Sequence, residues 1–224
     1  MALNAPIIQC VGEPVRRIIL NVGTDYTFAA GQYLLVEIPQ GPTIPLSIAS
    51  APAQCPELTL HFKPTPNSAE SDAFLEQLTQ GHLPLGNVAG DVICPPAEQS
   101  LLLIAGGTGS SQAFACAMER HLTPDTDTST TLLWCADTEA EIFETDRLEQ
   151  LAGLTLQVCV DATRDDSNKG MIWLREHMSA THYDRVIICG SPAYVYAVTD
   201  VLLACGVSEA VMEADAYSYA PRQT

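Results

Sequence analysis

The sequence predicts two domains of unlike class: a small antiparallel β-barrel over residues 1–97, then an α/β domain with a doubly wound parallel sheet over 98–224. Three observations predict it. Short apolar runs punctuated by Pro and Gly fill the first hundred residues, with one helix-patterned segment among them. After about residue 98, apolar runs alternate with helix-patterned segments. The first of these later runs drives straight into two glycines, a threonine and a third glycine, at 106–109.

The elements follow in order. "PVRRIILNVG" is a β-rich run ended by Gly23 and Asp25. "AGQYLLVEIPQGP" sets Gly31 before a strand and Gly41-Pro42 after it. "IPLSIASAP" is short and stops at Pro52. "ELTLHFKPTP" puts Leu58, Leu60 and Phe62 on one face, the pattern of a half-buried strand. "SAESDAFLEQLTQG" reads as a helix capped by Ser68 or Ser71 and stopped by Gly81. "GDVICPPA" closes the half, and "CPPAEQS" at 94–100 is the linker. Later strands are expected at 101–105, 131–136, 155–160, 185–189 and 210–215. Helices are expected at 110–121, 145–151, 170–179 and 192–205, with Met171 to Met178 read as a core helix.

Composition excludes several classes. Lys plus Arg is 10 and Asp plus Glu is 27, so the formal net charge is 10 − 27 = −17. A nucleic-acid binder needs a basic face, which this chain lacks the material to build. No apolar run reaches the length of a membrane span, and the first residues lack the basic and long apolar regions of a signal peptide, so the expected location is the cytoplasm. The eight cysteines form no C-x-x-C, which argues against iron–sulfur and zinc-ribbon sites; Cys135, Cys159 and Cys189 sit in apolar runs, as buried reduced thiols do. The five histidines show no metal-ligand spacing, and no metal is assigned. His61, on a barrel strand, reads as structural.

The glycine segment "LLLIAGGTGSSQ" is open to two readings. A buried parallel strand ending at Ala105 presents the edge where open α/β sheets bind ligands. Gly106, Gly107 and Gly109 let backbone approach a phosphate, and free N–H groups where Ser110 or Ser111 begins the helix favour an anion. The turn is then a pyrophosphate seat; the alternative is a purely structural turn. It is not a P-loop, and it does not match G-x-G-x-x-G. "YDRVIICGSPAYVYAV" repeats the architecture: strand, then Cys189-Gly190-Ser191-Pro192, then a helix with Pro in its first turn. A third strand ends at Trp134-Cys135-Ala136-Asp137.

The order GGTG, then an aromatic-ended strand, then C-G-x-P resembles the ferredoxin–NADP reductase superfamily. "GQYLLVEIP" followed by "IPLSIASAP" resembles that family's flavin strand pair, G-Q-[YF] followed by R-x-[YF]-S. Within the superfamily the short chain looks closest to the bacterial NAD(P)H–flavin reductases. The likeness covers nearly all 224 residues. It implies a Greek-key flavin barrel, a nicotinamide-binding α/β domain, and an isoalloxazine in the cleft between them. Carried over, Ser47 is the serine near flavin N5, with Pro45 and Leu46 against the ring. Gly106, Gly107, Thr108 and Gly109 meet the pyridine nucleotide. Cys189 and Gly190 line the nicotinamide side, and Pro192 starts the helix behind them. The implied chemistry is hydride passing from nicotinamide C4 to flavin N5.

Two departures matter. The family's phosphate-pairing arginine is Ile44 here, which weakens the hold on FMN or FAD. Either flavin is a loosely held substrate recognised by its ring, or Lys63 supplies the charge; the first is preferred. Relatives often carry an arginine after the aromatic-ended strand, where this chain has Asp137. That carboxylate suits a ribose hydroxyl and repels a 2′-phosphate, which predicts NADH over NADPH. Asp137 as a helix cap is the alternative, and Arg164, Arg175 or Lys169 remain available to a phosphate. Tyr217 and Tyr219 are placed on the final strand, as packing residues or cleft lining. The leading expectation is an NAD(P)H-dependent flavin reductase acting on riboflavin, FMN or FAD. Two alternatives are a reductase subunit holding FAD and passing electrons to an oxygenase or other acceptor protein, and a non-enzymatic nucleotide-sensing module.

Overall fold

The computed structural model describes residues 3–123, 129–165 and 167–222. The first half forms a six-stranded antiparallel sheet from β1 (Leu3–Val11), β2 (Arg16–Asn21), β3 (Tyr33–Glu37), β4 (Thr43–Ser47), β5 (Glu57–Phe62) and β6 (His82–Ala89), in the order β4-β3-β6-β1-β2-β5. The sheet curls but its ladder does not close. Its two edges meet at one bridge, Ile48 to Leu60, beside the Ala49 N–H bond to the Thr59 carbonyl at 2.8 Å.

Period-two alternation sets what each strand offers. On β3, Leu34 and Val36 are fully buried in the barrel, which turns Tyr33 and Leu35 the other way. On β4, Ile44 and Leu46 pack against the same core. Helix α1 (Ala69–Thr79) drives Phe74 into the barrel against Phe62, ring centroids 4.2 Å apart. Its N-cap is Ser68, whose hydroxyl accepts from the Ser71 amide.

Two strands escape the sequence pattern. β1 and β6 lie side by side in the sheet, yet carry Pro6, Pro84 and Gly86. A third strand, β5, is half-buried by its pattern but buried on both faces after Glu57. Leu58, Leu60 and Phe62 fill the barrel, while Thr59 and His61 are covered from outside.

The second half is a parallel sheet of β7 (Leu101–Gly106), β8 (Thr130–Ala136), β9 (Leu154–Val160), β10 (Arg185–Cys189) and β11 (Met212–Glu213), in the order β11-β10-β7-β8-β9. Helices α2 (Ser110–Leu122) and α3 (Thr145–Glu149) cover one face; α4 (Lys169–Met178) and α5 (Pro192–Ala204) cover the other. The fifth strand is shorter than expected. The chain makes a 3-10 turn over Glu209–Val211, keeps only two strand residues, and then forms α6 (Ala216–Tyr219). Tyr217 and Tyr219 therefore stand on a short helix, not on the final strand as expected.

The linker is held by a buried cation. Arg120 of α2 donates to the carbonyls of Pro96, Ala97 and Gln99 at 3.3, 2.9 and 2.6 Å. Among the described residues no helix is long and apolar enough to cross a membrane, and no group of three or more His, Cys, Asp or Glu could hold a metal ion.

Candidate active site

In the order β11-β10-β7-β8-β9 the chain first runs outward on one side of β7 and then returns to the other side. The switch point lies between β7 and β10, where Ala105 pairs with Cys189. Ligands bind outside the carboxyl ends of strands at such a point. Both glycine-bearing loops start there, at Gly106 and at Gly190.

The two loops touch because residue 109 has no side chain. A Cβ on Gly109 would lie 2.6 Å from the Cys189 carbonyl carbon and oxygen. Gly107 takes φ +55°, a left-handed turn that a side chain disfavours. The turn is anchored from behind: the Trp134 indole donates to the Gly107 carbonyl at 3.1 Å, and the Ser111 hydroxyl lies 3.0 Å from the Thr108 carbonyl. No side chain caps the start of α2, whereas Ser68, Asn168 and Ser191 cap α1, α4 and α5. Uncapped amides at a helix N-terminus attract an anion. The Ser110 hydroxyl, buried there, bonds to no protein atom among the described residues.

A cleft of about 1510 Å³ runs between the sheets. From the barrel side it is lined by Tyr33, Leu35, Pro45, Leu46 and Ser47. From the α/β side it is lined by Gly106 to Gly109, Asp137 and Gly190. Most of the residues singled out in the sequence thus converge on one space. Three do not line it: Ser110, Pro192 and Cys189 stand behind its wall. Cys189 is 2% exposed, and burial pushes its thiol pKa far above the usual range, so it stays protonated.

Sequence reasoning missed several cleft residues. Tyr194 packs its ring beside Gly106 and Gly190. Gln112 crosses the seam, donating to the Gly31 carbonyl at 2.6 Å and to Asp215 at 2.9 Å. Burial lifts the Asp215 pKa, against the pull of its Gln112 bond. Period-two alternation on β3 could have found Tyr33; nothing local marks Gln112 or Asp215. The cations expected near a phosphate are partly committed. Lys63 pairs with Glu141 at 3.0 Å, and Arg164 pairs with Asp137 at 2.5 Å.

No protein-family model matches the chain. An NAD(P)H-flavin reductase of Vibrio harveyi is 31% identical over 160 residues, which cover 65% of this chain and 67% of that protein.

The chain belongs to the ferredoxin–NADP reductase superfamily.

Solved structures superpose on it with low identity. The Amycolatopsis cytochrome P450 reductase GcoB gives a TM-score of 0.82 at 20% identity, over 96% of this chain and 69% of that one. Ferredoxin-NADP+ reductase from Plasmodium falciparum gives 0.78 at 15% identity, over 95% and 96%. Reductase component 2 of terephthalate 1,2-dioxygenase from Comamonas is 27% identical over 219 residues. That match takes in 92% of this chain, which spans 64% of the length of the Comamonas protein.

Proposed function

We propose that this chain is an NAD(P)H-dependent flavin reductase that takes flavin as a substrate and releases it reduced. The observation carrying the reading is the single cleft faced by β3 and β4 on one side and by both glycine loops on the other. A flavin held there supplies a two-electron acceptor for the hydride of a reduced nicotinamide.

The residues fit both groups. The uncapped start of α2 and the Gly107–Gly109 backbone would seat the pyrophosphate. Pro45, Leu46 and Ser47 would lie along the flavin ring, with the Ser47 hydroxyl offered to it. Cys189 would act only by packing behind Gly190. The protein's part is to align two rings and exclude water.

Weak phosphate recognition favours flavin as substrate over flavin as resident cofactor. Ile44 is packed on the barrel core. Lys63 is engaged by Glu141. The second reading, an FAD-holding reductase subunit serving an oxygenase or other acceptor protein, is favoured by the Comamonas likeness over 92% of the chain. NADH is the preferred donor in our reading, because Asp137 lines the cleft; its Arg164 partner keeps that preference modest.

The test is NADH oxidation by purified protein with riboflavin, FMN and FAD compared side by side. Colourless protein that oxidises NADH only with added flavin, riboflavin included, is the expected result. A yellow protein with FAD retained through purification would instead select the subunit reading. No oxidation with any flavin would reject both and leave a nucleotide-sensing module.

A further inference from the structure

His61 belongs to the barrel strand β5, yet its ring is buried against the second domain, 3% exposed and edge-on to Phe114 and Phe143. Its Nδ1 lies 3.1 Å from the Ser111 Oγ, and its Nε2 lies 3.3 Å from the Glu144 Oε1. The same Ser111 Oγ lies 3.0 Å from the Thr108 carbonyl, in the middle of the glycine turn. One side chain of the flavin half is thus two contacts from the backbone proposed to hold the nicotinamide nucleotide.

Proton counting sharpens the arrangement. Burial opposes ionisation of Glu144, but its bonds to His61 and Arg147 and the charge of Arg17 outweigh it and bring its pKa down to about 2. An ionised carboxylate only accepts, so Nε2 of His61 carries the ring proton. Burial also lowers the His61 pKa, against the raising effect of Glu144, so the ring is neutral and Nδ1 is a bare acceptor. Ser111 has one hydroxyl proton and two acceptors before it: His61 Nδ1 and the Thr108 carbonyl.

We propose that His61 is a positioning residue for hydride transfer: by competing with the Thr108 carbonyl for the Ser111 hydroxyl hydrogen bond, it sets how firmly that carbonyl is held, and so how the glycine turn presents the nicotinamide to the flavin. The proposal rests on the reductase reading above. It gives the barrel a direct hand in aligning the donor, where an error of about 1 Å costs on the order of 10²-fold in rate.

Three variants separate this role from a plain clamp between domains. His61→Asn keeps a polar group at the Nδ1 position and gives up Glu144. His61→Gln keeps one at Nε2 and gives up Ser111. Ser111→Ala removes the shared hydroxyl, and as a near-isosteric change carries the test if the His61 variants do not fold. The readouts are the amide resonances of Gly107, Thr108 and Gly109 in ligand-free protein, kcat and KM for NADH with riboflavin, and the isotope effect from C4-deuterated NADH. His61→Gln and Ser111→Ala are expected to move the turn resonances, lower kcat about tenfold with KM much less affected, and enlarge the isotope effect. His61→Asn is expected to stay within about threefold of the parent kcat. The reverse order, with His61→Gln better than His61→Asn, would mark a clamp and overturn the proposal, as would unmoved resonances in all three. A parent protein that never oxidises NADH would overturn the reductase reading instead, while the resonances still judge the link.

Discussion

In the proposed reading, the donor preference turns on Asp137 with its partner Arg164, and the flavin preference on Ile44. Asp137 and Arg164 are paired at the cleft, both partly exposed, so neither is locked. Asp137→Ala should raise kcat/KM for NADPH several-fold and lower that for NADH. Arg164→Ala should lower NADPH use instead. Steady-state kinetics with both donors read the ratio. Ile44 faces the barrel core, so Ile44→Arg must turn its guanidinium out of the barrel, at a cost of about 1–2 kcal/mol of lost packing. If phosphate recognition is what the chain lacks, FMN and FAD should then bind about tenfold more tightly while riboflavin is unchanged. Equal gains for all three, measured by fluorescence quenching, would reject that account.

At the scale of elements, the site depends on one close approach between the turns after β7 and β10. Gly109→Ala would drive a Cβ into the Cys189 backbone, and no flexible side chain is there to yield. The loops must part, with an expected loss of about 2 kcal/mol in stability and a larger KM for NADH. Urea unfolding and steady-state kinetics measure the two. The helices show a division of labour that capping makes visible. Serine or asparagine caps α1, α4 and α5, while the N-terminus of α2 is left open toward the cleft.

Across the whole molecule, the seam between the halves holds titratable groups, buried His61 and part-buried Glu144, that make it sensitive to acid. His61 is held below its unfolded pKa, so acidification lets the unfolded chain take up a proton that the folded chain resists. Stability therefore falls as pH drops through about 6.5. Glu144, held at about 2, contributes stability above its unfolded value near 4.5 and loses it as pH falls from there toward 2. Melting temperature should decline from pH 7 to 5 and more steeply below 4.5. His61→Asn should flatten the first part of that decline, as calorimetry across the range would record. The expected total is about 1–2 kcal/mol once solvent access to Glu144 is allowed for.

Local pattern carries far in this chain. The strand–helix rhythm after residue 98 and the two glycine loops place the α/β side of the cleft from neighbouring residues alone, because hydrophobic period and turn chemistry act over a few positions. The same logic fails for β1 and β6, where Pro6, Pro84 and Gly86 sit in strands held by partners far along the chain. It fails for Tyr217 and Tyr219, which packing turns onto α6. For Cys189 the apolar run correctly gave a buried thiol; it is the family resemblance that placed it on the wall, where Gly190 stands instead. What the residues determined by themselves is the fold class and the two glycine turns. Only the folded chain decided that His61 meets Ser111 fifty positions later and Glu144 eighty-three positions later. Contacts across such separations arise from the packing of one domain on another, and leave no period or spacing in the sequence for a local reading to find.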